Sequence, residues 1–293
     1  MKHLFLSLLL IPLLLPIPAQ ASLRVVASIE PLSMLLRELL GDDAEVHTLL
    51  LPNQNPHHVS FTPGQARALR EADLVVWLGA EAEPQVATIV RRHGGEALAL
   101  TDLRLLYRRD GDHGHVHHAD DDHHHASLLD PHLWLYPDNM RALAAALSAH
   151  PLLAELPDWP ARLAAFGDRL DAVEAEVRAA LADHAEATYL SHHDPWAYFA
   201  DAFGIRRPVI ISHNVEASAS SRRFAELSRS MAEHQVVCVM AEPEGRRALL
   251  ERLCGEGCHL VEADPLGRDL VDARYTDLLA HLGGLFGRCL AGP

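Results

Sequence analysis

WPARLAAFGDRLDAVEAEVRAALADH, residues 159–184, places apolar side chains at Leu163, Phe166, Leu170, Val173, Val177 and Leu181. Steps of three or four throughout describe one helix with a single buried stripe. At about 1.5 Å per residue such a helix runs roughly 40 Å, the breadth of a whole domain. That length suits a rigid connection between two lobes. An ordinary long helix inside one domain shows the same periodicity, so the flanking segments decide.

Before the long helix, short apolar runs at 24–28, 45–51, 74–78 and 97–100 read as strands, and the stretches at 31–40, 63–72, 84–92 and 137–148 read as helices. Gly41 ends the first helix, while Thr62 and Pro63 form an N-cap and first-turn pair for the second. After the long helix the alternation repeats, with strands at 188–191, 209–211, 236–240 and 259–261 and helices at 196–203, 220–234, 245–254 and 275–290. Strands separated by helices pair in parallel. The expectation is an α/β fold of two lobes, each a mainly parallel sheet flanked by helices, joined by one long rigid helix. Residues 22–156 form the N-terminal lobe, 157–185 the link and 186–293 the C-terminal lobe.

A chain of 293 residues is long enough for about two domains, and its 49% hydrophobic and 22% charged residues are ordinary for a globular protein. The formal net charge is −15. Such acidity argues against nucleic acid or anionic lipid as partners and suits a protein that handles cations, although solubility alone would also account for it. Residues 1–21 combine a basic start at Lys2 and His3, an apolar block from Leu4 to Ile17 and the triplet Ala19-Gln20-Ala21. That is the pattern of a Sec signal peptide cleaved after Ala21. The later chain lacks an apolar run of about eighteen residues, so the mature protein is expected to be exported without inserting into the membrane.

Export also permits disulfides. Cys254 and Cys258 flank Gly255-Glu256-Gly257, a link able to close a small loop, which leaves Cys238 with Cys289. A zinc site built on Cys254, Cys258 and His259 is the competing reading, with only adjacent ligands and no fourth partner nearby in sequence.

Residues 110–127 interrupt the first lobe with an acidic, histidine-rich loop. It holds His113, His115, His117, His118, His123, His124 and His125 among Asp112, Asp120, Asp121 and Asp122. Almost nothing in it can be buried, and imidazoles at this density bind borderline divalent metals without fixed geometry. The stretch Asp130-Pro131-His132-Leu133-Trp134 follows, where an apolar, aromatic-bearing segment gives His132 an ordered support.

Ligands of open α/β sheets bind beyond the carboxyl ends of the strands. Four such places carry a His or Asp beside a Pro: Asn55-Pro56-His57-His58, Asp130-Pro131-His132, His192-His193-Asp194-Pro195 and Asp264-Pro265. A lone His there is more often structural than a ligand; four equivalent places beside a histidine-rich loop point to a metal. Three imidazoles and one carboxylate make a tetrahedral site suited to Zn²⁺. With water in the fourth position, hydrolysis becomes conceivable, yet H-E-x-x-H, G-x-S-x-G and the phosphate-binding loop are all absent from the sequence. The expectation is a binding protein and not an enzyme.

Asn55-Pro56-His57, Ala72-Asp73-Leu74-Val75-Val76-Trp77-Leu78-Gly79, Asp130-Pro131-His132-Leu133-Trp134-Leu135, His193-Asp194, Ala241-Glu242-Pro243 and Asp264-Pro265-Leu266-Gly267 together resemble the zinc-specific, ZnuA-type binding proteins of ABC importers. The match runs in order through nearly all of the mature chain. It implies two α/β lobes with metal between them, His57, His132 and His193 as ligands, and Asp264 or water as the fourth. His57 is chosen over His58 because it follows Pro56, and His193 over His192 because it precedes Asp194, as in the family pattern. Some zinc members carry a Glu before the first His, where this chain has Pro56. Manganese-binding relatives carry a Glu at the place of His193, so imidazole there favours zinc. Cys238 and Cys289 match positions paired in zinc-binding relatives, and Cys254–Cys258 looks like an addition.

The resemblance implies a periplasmic protein, expected to be monomeric, that captures Zn²⁺ and delivers it to an ABC transporter membrane permease. The loop would collect further metal more weakly. The alternatives are a manganese- or iron-binding protein of the same fold, a secreted zinc hydrolase, or a general metal buffer.

Overall fold

The computed structural model describes residues 22–56, 59–109, 129–211, 221–255 and 259–292. The expected leader (1–21), His57, the body of the histidine-rich loop and Cys258 lie outside them.

In the first half, β1 (Leu23–Ala27), β2 (Ala44–Thr48), β3 (Leu74–Trp77) and β4 (Glu96–Ala99) alternate with α1 (Glu30–Leu40), α2 (Pro63–Glu71) and α3 (Pro84–His93). The four strands are parallel in the order β2-β1-β3-β4. Helix α2 starts as its sequence implies: Thr62 and Gln65 exchange side-chain and backbone hydrogen bonds in a capping box ahead of Pro63. A further helix, α4 (Pro137–Ser148), follows the segment that carries His132.

The second half places β5 (Thr188–Ser191), β6 (Val209–Ile210), β7 (Val236–Ala241) and β8 (His259–Glu262) in a parallel sheet of order β6-β5-β7-β8. Both sheets thus reverse direction of strand addition at the same relative point, between the first and third strands, where α/β folds open a crevice. Helices α6 (Ala197–Phe203), α7 (Ser221–Glu233), α8 (Arg247–Cys254) and α9 (Tyr275–Leu290) complete this half.

The connecting helix α5 spans Trp159–Leu181, about 35 Å, and a short 3₁₀ turn at Ala182–His184 finishes the periodic stretch. Its stripe packs as its spacing requires: Phe166, Leu170, Val177 and Leu181 are buried, with Leu163 and Val173 partly so. Gly283 lets α9 approach closely, since a Cβ there would stand 2.4 Å from Val177 Cγ2.

One apolar core runs without a break from Val25, Leu32 and Leu36 in the first half, through Phe166 and Leu170 of α5, to Tyr189, Phe199 and Phe286 in the second. Each sheet covers its outer face separately, with Leu69, Val86 and Val90 on the first and Leu227, Leu250 and Leu253 on the second. Polar clamps reinforce the shared core. Glu38 of α1, with its side chain fully buried, accepts from Arg169 Nε at 2.9 Å and from Thr276 Oγ1 at 2.9 Å. Cys238 of β7 and Cys289 of α9 form a buried disulfide with a Cα–Cα separation of 5.5 Å. The partner expected for Cys254, Cys258, is outside the described residues.

Candidate metal centre

His132 sits on a turn that both halves hold in place. Pro131 restrains the approach, and the 3₁₀ turn Leu133–Leu135 begins with Leu135 N–H donating to His132 O at 3.1 Å. From the second half, Tyr198 Oη donates to Asp130 O at 3.3 Å and Tyr275 Oη to Trp134 O at 2.9 Å. Trp134 Nε1 returns a hydrogen bond to Pro265 O at 2.8 Å. Asn139, fully buried, bonds the backbone of both Tyr107 and Leu133 and so fastens this turn to α4.

Asp130 Oδ1 lies 2.8 Å from His132 Nδ1. A carboxylate there fixes the tautomer with the proton on Nδ1 and the lone pair on Nε2, the arrangement a metal-binding imidazole needs. The ends of the histidine-rich loop meet at the same residue, because Asp130 N–H donates to Arg109 O at 3.0 Å.

His193 follows the carboxyl end of β5 and is 7% exposed, as is His132. The two rings stand with centroids 5.8 Å apart. Glu242, just past β7 and buried, brings Oε2 to 3.8 Å from His193 Nδ1. Its other oxygen accepts from Ser191 Oγ, which accepts from Trp196 Nε1 at 3.1 Å. A chain of polar groups thus runs from the Trp196 indole to the His193 imidazole. Burial pulls the His193 pKa down, but the facing Glu242 carboxylate outweighs it and leaves the imidazole above its ordinary value.

The neighbouring His192 is enclosed. Its ring is fully buried, neither nitrogen has a hydrogen-bond partner among the described residues, and burial lowers its pKa. Of the adjacent pair, His193 is the one whose ring pairs with that of His132.

His57 falls outside the described residues, but the turn leading to it is held. Gln54 Oε1 accepts from Leu51 N–H at 3.0 Å and Gln65 Nε2 at 2.7 Å, while Gln54 Nε2 donates to Ser60 O at 3.1 Å, across the segment that carries His57.

Asp264 is engaged within the chain itself. Its carboxylate is bound on both oxygens by Arg268, and among the described residues no group of three His, Cys, Asp or Glu side chains stands close enough to hold a metal. The structure therefore brings His132 and His193 together and engages Asp264 with a cation of the chain itself.

Two buried imidazoles, each with a carboxylate behind it and each from a different half, belong to a recognisable lineage. The family model for the zinc-uptake complex component A, periplasmic, matches residues 25–283. The chain belongs to the ZnuA family. It is 30% identical to the high-affinity zinc uptake system protein ZnuA of Yersinia pestis, over 92% of each chain. It is 29% identical to the ZnuA of Paracoccus denitrificans, over 94% of each. A crystal structure of ZnuA superposes with a TM-score of 0.76 at 21% identity, covering 92% of this chain and 99% of that one, which shows the shared two-lobe fold.

Within this ZnuA-family chain, sequence reasoning did not anticipate the roles of Glu242, Ser191, Gln54 and Arg268. Glu242 was visible only as part of the Ala241-Glu242-Pro243 match. Its position past β7, beside the strand that delivers His193, was the signal that could have marked it as a brace.

Proposed function

We propose that this ZnuA-family chain captures Zn²⁺ between its two lobes on His57, His132 and His193, with Asp264 or water completing the shell. It then delivers the ion to the membrane permease of an ABC-type importer. The observation that carries this reading is the pair His132 and His193, buried, 5.8 Å apart by ring centroids and each backed by a carboxylate. Imidazoles supplied from both lobes suit a borderline cation. The named zinc-uptake relatives support zinc as the cargo.

The leader in residues 1–21 would direct the chain to the periplasm, where it would work as a monomer without entering the membrane. Among the described residues no helix is long and apolar enough to cross one. The histidine-rich loop would bind additional ions more weakly and pass them inward, since its anchoring residue Asp130 also braces His132.

Calorimetric zinc titration of the mature protein lacking residues 112–125 tests this. One tight site is expected to remain and to disappear in His57→Ala or His193→Ala. Loss of all tight binding on loop deletion would mark a general buffer, and preference for Mn²⁺ in direct competition would overturn zinc as the cargo.

A further inference from the structure

We infer that Arg268 is a selectivity residue of the interlobe site, acting by withholding the Asp264 carboxylate from the cargo. The inference rests on the zinc-binding reading above. An ionised carboxylate has about four acceptor positions, and Asp264 has four donors on them. Oδ1 accepts from Leu266 N–H at 3.0 Å and Arg268 Nη2 at 3.0 Å; Oδ2 accepts from Arg268 Nε at 2.8 Å and Arg268 N–H at 2.9 Å.

The turn is built to make this pairing. Gly267 has φ +62°, and a Cβ there would stand 2.7 Å from Leu278 Cδ1, so the chain folds tightly enough to return Arg268 onto Asp264. Glu244 fixes the guanidinium from the other side, with Oε1 2.7 Å from Nη2. Both acidic side chains and the arginine are about nine-tenths buried. Moving the guanidinium away would leave two buried carboxylates uncompensated, which makes the arrangement resistant to displacement. Arg268 Nη1 also donates to Gln54 O at 3.4 Å, in the turn that leads to His57. A cavity of 440 Å³ is lined by Pro52 and Glu242 together with Asp264 and Arg268, so the ion pair shares an open space with the carboxylate that faces His193.

The chemical consequence is a change in donor set. A hard carboxylate oxygen favours Mn²⁺ relative to Zn²⁺, whereas imidazole favours Zn²⁺. Engaging Asp264 with Arg268 keeps the donors nitrogen-rich, and the fourth position falls to water.

The test compares wild type, Arg268→Gln and Arg268→Gln/Asp264→Asn by Zn²⁺ and Mn²⁺ titration, with the visible spectrum of the Co²⁺-loaded proteins as a readout of coordination. In Arg268→Gln the zinc-to-manganese affinity ratio is expected to fall about tenfold or more, equivalent to about 1.4 kcal/mol. The cobalt bands change as a carboxylate replaces water, and the double variant restores both. An unchanged ratio and spectrum in Arg268→Gln, with one zinc still bound, would overturn the inference. So would a shift that persists in the double variant, which would reflect the lost positive charge alone. If Arg268→Gln does not fold, Arg268→Lys keeps the charge without the two-pronged grip and must give an intermediate ratio. An Arg268→Lys ratio equal to wild type also overturns the inference. Failure of wild type to lose its tight site in His193→Ala would instead count against the zinc site itself.

Discussion

Asp130 Oδ1 stands 2.8 Å from His132 Nδ1 and also accepts the His132 backbone N–H at 3.1 Å. One oxygen therefore fixes both the ring and the peptide that carries it. Asp130→Asn would keep the shape and lose the charge that holds the tautomer. Its zinc affinity at the tight site, read by competition with a chromophoric chelator in the protein lacking residues 112–125, should drop about 10- to 100-fold while that site still takes one ion. An affinity equal to wild type would show that the Asp130 contact does not brace the ligand.

Glu83 gives a pH signature in stability. Burial raises its carboxyl pKa to about 7, against the opposing hydrogen bond from Leu78 N–H at 2.7 Å. An acid whose folded pKa exceeds its unfolded one keeps its proton longer when folded. Stability is then highest below the unfolded value, falls as pH rises from about 4.5 to 7, and levels off above. Glu83→Gln should flatten this part of the profile and gain on the order of 3 kcal/mol relative to wild type near neutral pH. Parallel denaturant-melt profiles for the two proteins would contradict the assignment.

The Cys238–Cys289 disulfide closes a separation of 51 residues between β7 and α9. Replacing both residues by Ala should cost about 2–4 kcal/mol of unfolding free energy in guanidinium titration. Zinc binding should survive, because neither cysteine adjoins the imidazoles. Loss of the tight site in a still-folded variant would show that the bridge positions β7 and its Glu242.

Glu38 holds α1 to both α5 and the first turn of α9. Glu38→Ala removes a charge-assisted bond to Arg169 and leaves Thr276 without its acceptor. A loss of about 2–3 kcal/mol is expected in chemical denaturation. A loss below 0.5 kcal/mol would mean that water substitutes for the carboxylate at no cost.

Much of the architecture was readable because its signals are local. The stripe from Leu163 to Leu181, Thr62 ahead of Pro63 and the runs at Leu74 and Val236 each specify an element through nearest neighbours along the chain. The first strand pair ends earlier than its apolar run, since β2 stops at Thr48 and Leu49 and Leu50 turn into the core. His132 and His193 were legible through their prolines and strand ends. Glu242, Gln54 and Glu38 were not, because each acts on a partner far away in sequence, and an acidic or amide side chain has no periodicity to betray it. Asp264 is the instructive case. Its position after β8 follows from the pattern, but its engagement depends on how Gly267 folds Arg268 back upon it.

The apolar mass beneath both sheets also bears on unloading. Prising the halves apart would bring Phe, Leu and Tyr surfaces into water at roughly 25 cal/mol for every Å² uncovered, so wide gaping is disfavoured. Under the proposed function, an ion seated above such a foundation would be released by local side-chain movement. Such movement would leave the interior packed from one round of binding to the next.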